Sequence, residues 1–324
     1  MPLDADTIVD RRRLRRKLTF WRVLAFLVII LAVVGTVFAA SGRRGLLGST
    51  TGSIARLTVQ GLIRGDTERV ESIDRLGRSS AKAVVVHIDS PGGTTAGSEQ
   101  LHDALRRLAA RKPMVVVVDG LAASGGYIAA MAADHIVAQD TSLVGSVGVL
   151  FQYPNFTDLL KTLGVKVEEI KSSPLKAAPN GFEPTSPEAR AAIESIVMDS
   201  YAWFKSLVQS RRHLDGEQLD RVADGRVFTG RQAFDLKLID ELGDERAAVA
   251  WLAKTRGIDA DMPVRDWQMR SRFSDFSFLH PAALFEVIGL SSIARSIEQA
   301  GAVKAIEQLN LDGLLALWHP SATN

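Results

Sequence analysis

Three short stretches of the 324-residue chain carry residue types whose order suits attack on a carbonyl. In Ala122-Ala123-Ser124-Gly125-Gly126-Tyr127 a serine follows an apolar run and precedes a small-residue segment. A serine between a buried strand and a helix start sits where backbone N–H groups point outward and the helix dipole favours negative charge. The stretch resembles a nucleophile elbow without the GxSxG pattern. Alone it reads equally well as a glycine-rich helix cap. In Ser90-Pro91-Gly92-Gly93 two glycines after a strand let main-chain N–H groups approach a ligand with no side chain in the way. An oxyanion hole requires that arrangement, although a tight strand-to-helix turn would account for it too.

A serine nucleophile needs a base. The six histidines (His87, His102, His135, His213, His280, His319) are scattered and stand in no recognisable triad context. The third stretch, Lys171-Ser172-Ser173-Pro174-Leu175-Lys176, offers lysine instead. A lysine acts as a base once burial strips its solvation. Moving its pKa from 10.4 to 7 costs the charged form about 4–5 kcal/mol. Spacing does not choose between Lys171 and Lys176, and either reads otherwise as an exposed loop lysine.

Elements that would position these residues alternate along the chain. Strands are expected at Ile54–Val59, Ala83–Ile88 and Met114–Val118, the latter two apolar enough to be buried on both faces. Helices are expected from Asp66 to Leu76, from Ala96 to Ala110 and from Ser124, with Asp89–Gly93 as a turn. This is the order of a parallel sheet with right-handed crossovers. Shorter strands are read at Ile136–Ala138, Val147–Leu150 and Lys166–Ile170, then a proline-rich loop over Lys171–Thr185 and a long helix capped by Ser186 and running to Arg212. Leu284–Leu317 reads as largely helical and amphipathic.

Val23 to Ala40 is uncharged and apolar, about 27 Å if helical, which is enough to cross a hydrocarbon core. Residues 1–44 carry nine Lys or Arg against three Asp, most of them before the apolar run. The basic flank places the amino terminus in the cytoplasm and everything after residue 41 outside. A retained single-pass anchor is expected. The rival is a cleaved signal peptide with Val37-Phe38-Ala39 as its cleavage site. The rest of the chain holds 30 basic and 34 acidic residues, which argues against a nucleic-acid-binding domain. No cysteine is present and no histidine spacing suits a metal, so disulfides, thiol nucleophiles and metal or other cofactors are not expected.

The motifs together, with Gly145-Ser146-Val147-Gly148-Val149, Ala223-Asp224-Gly225-Arg226-Val227-Phe228-Thr229-Gly230-Arg231-Gln232-Ala233 and Leu238-Ile239-Asp240-Glu241-Leu242-Gly243, resemble the signal peptide peptidase A family of serine peptidases. The resemblance covers roughly residues 54–255 and corresponds to its short, single-copy form. It implies Ser124 as nucleophile, Lys176 as general base, Ser146 orienting the lysine amine, and oxyanion donors at Gly93 and, at the helix start, Gly125. It also implies an α/β fold of the crotonase and Clp-protease kind, with repeated ββα units behind one transmembrane helix. Further implications are a homo-oligomeric ring at the cell inner membrane, an extracytoplasmic active site, and remnant signal peptides or other apolar peptides as substrates. The expected organisation is a cytoplasmic segment at 1–22, anchor at 23–40, tether at 41–53, peptidase domain at 54–260 and C-terminal extension at 261–324. Other readings are a membrane peptidase with one dedicated protein substrate, an acyl-CoA enzyme of the same superfamily, an inactive scaffold and a membrane adaptor. The anchor and the Ser/Lys pair argue against the second of these, and the last leaves all three motifs unexplained.

Overall fold

A computed structural model of the chain describes residues 21–22, 24–28, 52–268 and 315–317. The chain divides into two compact units, residues 1–52 and 53–324. In the first, the described residues 21–22 and 24–28 are helical. The remainder of the expected anchor lies outside the described residues, and among those described no helix is long and apolar enough to cross a membrane.

The second unit is α/β. In chain order its first elements are β1 (Ile54–Ile63), α1 (Thr67–Gly77), β2 (Ala83–Thr94), α2 (Thr95–Ala109), β3 (Met114–Ala123), α3 (Gly125–Ala130), β4 (His135–Ala138) and β5 (Leu143–Gly145). They are followed by α4 (Thr157–Thr162), α5 (Pro187–Arg212), α6 (Gly216–Val222), β6 (Val227–Thr229), α7 (Gly230–Asp235), β7 (Glu241–Leu242), α8 (Glu245–Arg256), β8 (Val264–Asp266) and β9 (Leu315–Leu317). The sheet runs β6-β5-β3-β2-β1-β8, with β4 and β7 continuing from β3 and β9 adding to β2.

Two faces of β2 and β3 are buried, which is why their sequences read as unbroken apolar runs. Val84, Val86, Ile88, Val116 and Val118 pack with Ile73, Leu76, Leu105 and Ile128 of the helices on one side. Val85, Val115 and Val117 pack on the other against Ala248 and Leu252 of α8.

β3 is forked. Val115–Val118 pair in parallel with β4, whereas Leu121–Ala123 pair in parallel with β5. The change of neighbour falls at Asp119-Gly120. It carries the end of β3, and the serine beyond it, into a second strand environment.

Several expectations need correction. Asp89–Gly93 is not a turn: β2 continues to Thr94 and pairs with β1 through Leu62↔Gly92 and Ile63↔Gly93, with an irregularity between Gln60 and Leu62. The strand expected at Val147–Leu150 lies earlier, at Leu143–Gly145. Val147 is fully buried by the turn after it, which gives the apolar signal without a ladder. Lys166–Ile170 forms no strand and is wholly exposed. Of the helix expected over Leu284–Leu317, only Leu315–Leu317 are described, and they form a strand.

α5 starts as expected: the Ser186 side chain accepts the Ala189 N–H. Its other end is fastened by Arg211, whose guanidinium donates to the Met131 and Ala133 carbonyls at 2.7 Å each, just past the end of α3. A cation there satisfies carbonyls that the helix leaves open. By contrast, no residue between 151 and 188 is buried.

Candidate active site

Ser124 is the single residue between β3 and α3. Its backbone, at φ 53° and ψ −115°, lies in a region that non-glycine residues rarely occupy. The Ser124 N–H donates to the Gly145 carbonyl at 2.7 Å, and its own carbonyl accepts the Ile128 N–H at 2.9 Å. These bonds tie the sharp turn to β5 on one side and to α3 on the other. The Tyr127 hydroxyl, fully buried, donates to the Leu238 carbonyl at 2.8 Å and anchors α3 from below. Burial pushes the Tyr127 phenol well above its ordinary pKa, so it stays a neutral donor.

The glycine segment reaches the same place by close backbone packing. A Cβ on Gly93 would lie 1.8 Å from the Ile63 carbonyl oxygen, and one on Gly126 would lie 2.6 Å from the Ser90 carbonyl oxygen. Glycine at both positions lets β2 close on β1 and α3 close on β2. Ser90, fully buried, braces the segment: its hydroxyl donates to the Gly61 carbonyl at 2.7 Å and accepts the Gly92 N–H at 3.1 Å. Gly92 takes φ 104°. Gly125 opens α3, where helix geometry leaves an N–H without an intrahelical acceptor. The sequence marks Ser90 only as part of a motif, and its bracing role depends on the folded register.

Ser146 follows β5 as Ser124 follows β3. It takes φ 54°, and its N–H donates to the Arg226 carbonyl at 2.8 Å. β6 supplies that carbonyl by pairing antiparallel with β5, Leu143 opposite Thr229 and Gly145 opposite Val227. The long motif around Arg226 is therefore structural. Thr229 and Gln232 form a reciprocal cap on α7, and a Cβ on Gly230 would fall 2.0 Å from the Gln139 carbonyl oxygen.

Both serines are almost fully buried, at 1% and 7% exposure. The Ser124 hydroxyl lies 3.5 Å from the Gly148 carbonyl oxygen. The structure thus brings Ser124, Ser146 and the Gly92-Gly93 segment to one end of the sheet.

It does not bring either lysine to them. Lys171 is held by Glu169 at 2.5 Å and Glu183 at 2.6 Å, and hydrogen bonds from Glu169 first, then Glu183, raise its pKa. Lys176 is exposed and precedes Ala177, whose φ is 57°. Among the described residues its amine has neither Ser124 nor Ser146 as a hydrogen-bond partner. His87, the histidine nearest the glycine segment in sequence, is engaged elsewhere: Nδ1 lies 2.8 Å from Asp119 and Nε2 lies 2.8 Å from Glu245. No group of three or more His, Cys, Asp or Glu suited to a metal is found among the described residues.

The model of peptidase family S49 matches residues 106–259, which span β3, α3, β5 and the Arg226 motif. The slr0021 protein of Synechocystis sp., whose name places it among proteases, is 36% identical over 215 residues, covering 66% of this chain and 78% of that one. This chain belongs to peptidase family S49. It is accordingly a serine peptidase, of the signal peptide peptidase A kind. Protease 4 of Salmonella typhi is 35% identical over 195 residues, 60% of this S49 chain and 31% of the relative. The chloroplastic serine protease SPPA of Arabidopsis thaliana is 28% identical over 235 residues, 72% and 35% respectively. The S49 chain thus spans about a third of the length of these last two relatives. Among solved structures, a ClpP1 variant from Listeria monocytogenes superposes with a TM-score of 0.41 at 15% identity, over 59% of this chain and 92% of that one.

Proposed function

We propose that the chain is a membrane-anchored endopeptidase that degrades apolar peptides, remnant signal peptides among them, with Ser124 as nucleophile and Lys176 as general base. The observation that carries this reading is the backbone of Ser124, held at φ 53° and ψ −115° between the end of β3 and the start of α3. Strain of that kind costs about 1–3 kcal/mol and persists where the surroundings over-determine it. Here it aims a hydroxyl at the glycine-lined end of β2.

In the proposed reaction an extended peptide lies along the end of β2. Ser124 Oγ attacks the scissile carbonyl as neutral Lys176 takes its proton. The Gly93 and Gly125 N–H groups receive the developing oxyanion. Lys176 then protonates the leaving amine, and water releases the acyl group from Ser124. Ser146 orients the lysine amine. Lys171 is the poorer base because two carboxylates stabilise its charged form.

The exposure of Lys176 has a direct reading in this scheme. Its segment, 151–188, buries no residue of its own, while Leu159, Leu163, Val167, Ile170 and Phe182 are all exposed. A segment with that composition is suited to packing on another molecule. We place it against a neighbouring copy in a closed ring, so that Lys176 of one copy serves Ser124 of the next. The apolar stretch 23–40 with its basic flank supports anchoring in the inner membrane, with the site extracytoplasmic.

The test uses the full chain in detergent and an apolar fluorogenic peptide. Ser124→Ala and Lys176→Ala are each expected to be inactive and Lys171→Ala active. Mixing the two inactive variants restores part of the activity if the dyad forms between copies. Activity in Ser124→Ala overturns the nucleophile. Two dead variants whose mixture stays dead place both residues in one copy.

A further inference from the structure

The end of β2 already carries a peptide strand. β9 pairs antiparallel with it: Leu317 lies opposite Gly92, Ala316 opposite Gly93 and Leu315 opposite Thr94. On its other side β2 is occupied over the same residues, since Leu62 and Ile63 of β1 pair with Gly92 and Gly93. β3 leaves β2 after the pairing of Ser90 with Ala122. β9 therefore takes the edge that β3 vacates, which is the edge facing the turn that carries Ser124.

We propose that the C-terminal segment 311–324 is an internal peptide ligand of this edge, bound antiparallel to β2 where a peptide substrate must bind. The inference rests on the reading that substrate adds as a strand along Gly92–Thr94. An exposed strand end offers unpaired N–H and C=O groups to any extended chain, and its affinity comes from the main chain rather than from one side chain. The segment Leu314-Leu315-Ala316-Leu317-Trp318 is itself an uncharged apolar run of the class proposed for the substrate.

Three features favour a displaceable ligand over a permanent strand. The pairing covers three residues, far short of a self-sufficient strand pair. It is separated from β8 by a long stretch of sequence, so it is an addition to the sheet and not a link in its winding order. It also meets the sheet only at β2, while every neighbouring pair of the β3-β2-β1 centre is parallel and long. Tethering compensates for brevity, because an attached ligand acts at an effective concentration well above that of a free peptide.

The experiment reads binding separately from catalysis. A fluorescent peptide with the sequence of residues 311–324 is titrated by anisotropy into full-length Ser124→Ala, and into Ser124→Ala carrying either Leu315→Pro or Ala316→Pro. Consecutive strand amides point to opposite edges, so one of the two prolines removes an N–H that faces β2 and the other does not. The expected result is that at least one proline variant binds the peptide about tenfold more tightly than the parent, because the internal competitor is gone. In the Ser124-containing chain the same proline lowers KM for the apolar peptide and leaves kcat unchanged. Equal peptide affinity in all three chains overturns the proposal. Peptide binding that responds to the prolines while Ser124→Ala still cleaves peptide would instead sink the nucleophile assignment and leave the tail inference standing.

Discussion

Ser124 and Ser146 are the first residues past the two ends of one parallel ladder, and each turns out of it with nearly the same φ, 53° and 54°. Ala123 pairs with Gly145, the Ser124 N–H donates to the Gly145 carbonyl, and the two hydroxyl-bearing residues are thereby held side by side by backbone alone.

This geometry gives the first prediction. A positive φ disfavours a Cβ, so Ser124→Gly relieves strain that Ser124→Ala keeps. Ser124→Gly is expected to be more stable than Ser124→Ala by about 1 kcal/mol in thermal or urea unfolding. Both lack activity. Equal stability of the two would show that the turn is not strained.

Ser146→Ala separates orientation from folding. A residue that only aligns the base forfeits part of the roughly 10²–10⁴-fold that proton transfer contributes. The expected loss is in kcat, with KM and melting temperature close to wild type. A change in KM alone would assign Ser146 to substrate contact instead.

Tyr127→Phe removes the donor to the Leu238 carbonyl without changing the shape of α3. A fully buried acceptor left unpaired costs about 1–3 kcal/mol. Chemical denaturation should register that loss as a lowered midpoint with an unchanged slope.

Two glycine substitutions should behave oppositely. At Gly93 an added methyl meets β1 backbone at 1.8 Å, and at Gly148 it meets Gly225 at an ordinary 3.6 Å. Gly93→Ala is expected to fold poorly and to be inactive, whereas Gly148→Ala keeps its melting temperature within a few degrees. Circular dichroism melts of the two proteins decide the matter.

Acid stability should depend on Glu245. Its carboxyl receives hydrogen bonds from Arg56 and His87, and these, Arg56 first, hold it below the ordinary carboxylate range. A group with a depressed folded-state pKa contributes stability above its unfolded value, near 4.3, and that contribution fades as pH falls below it. Glu245→Gln should therefore narrow the difference in melting temperature between pH 6 and pH 3.5. An unchanged difference would mean that the Arg56 pair does not contribute.

Much of this was legible in the sequence, and the gaps have physical causes. Ala83–Ile88 and Met114–Val118 announce buried strands because apolar residues fall on both faces. Asp89–Gly93 conceals its strand because glycine and proline leave no side-chain period to read. Lys166–Ile170 gives a strand-like apolar pattern that no surface of the described chain covers. Ser124, Ser146 and the two glycines could be picked out by type and resemblance, but their convergence could not, since it depends on β3 changing partners midway. No spacing announces that three residues near the carboxyl terminus, in a segment read as helix, pair with Gly92–Thr94.

The fork in β3 also fixes what cannot change in this chain. Met114–Val118 answer to β4 and the core, and Leu121–Ala123 answer to β5 and the reactive turn. Between them stand only Asp119 and Gly120, and one residue more or less would turn every side chain beyond them to the opposite face. Ser124 would then point away from the end of β2 while the core stayed intact. Length is thus the guarded property of that dipeptide, and an insertion there would yield a folded protein with its nucleophile facing the wrong way.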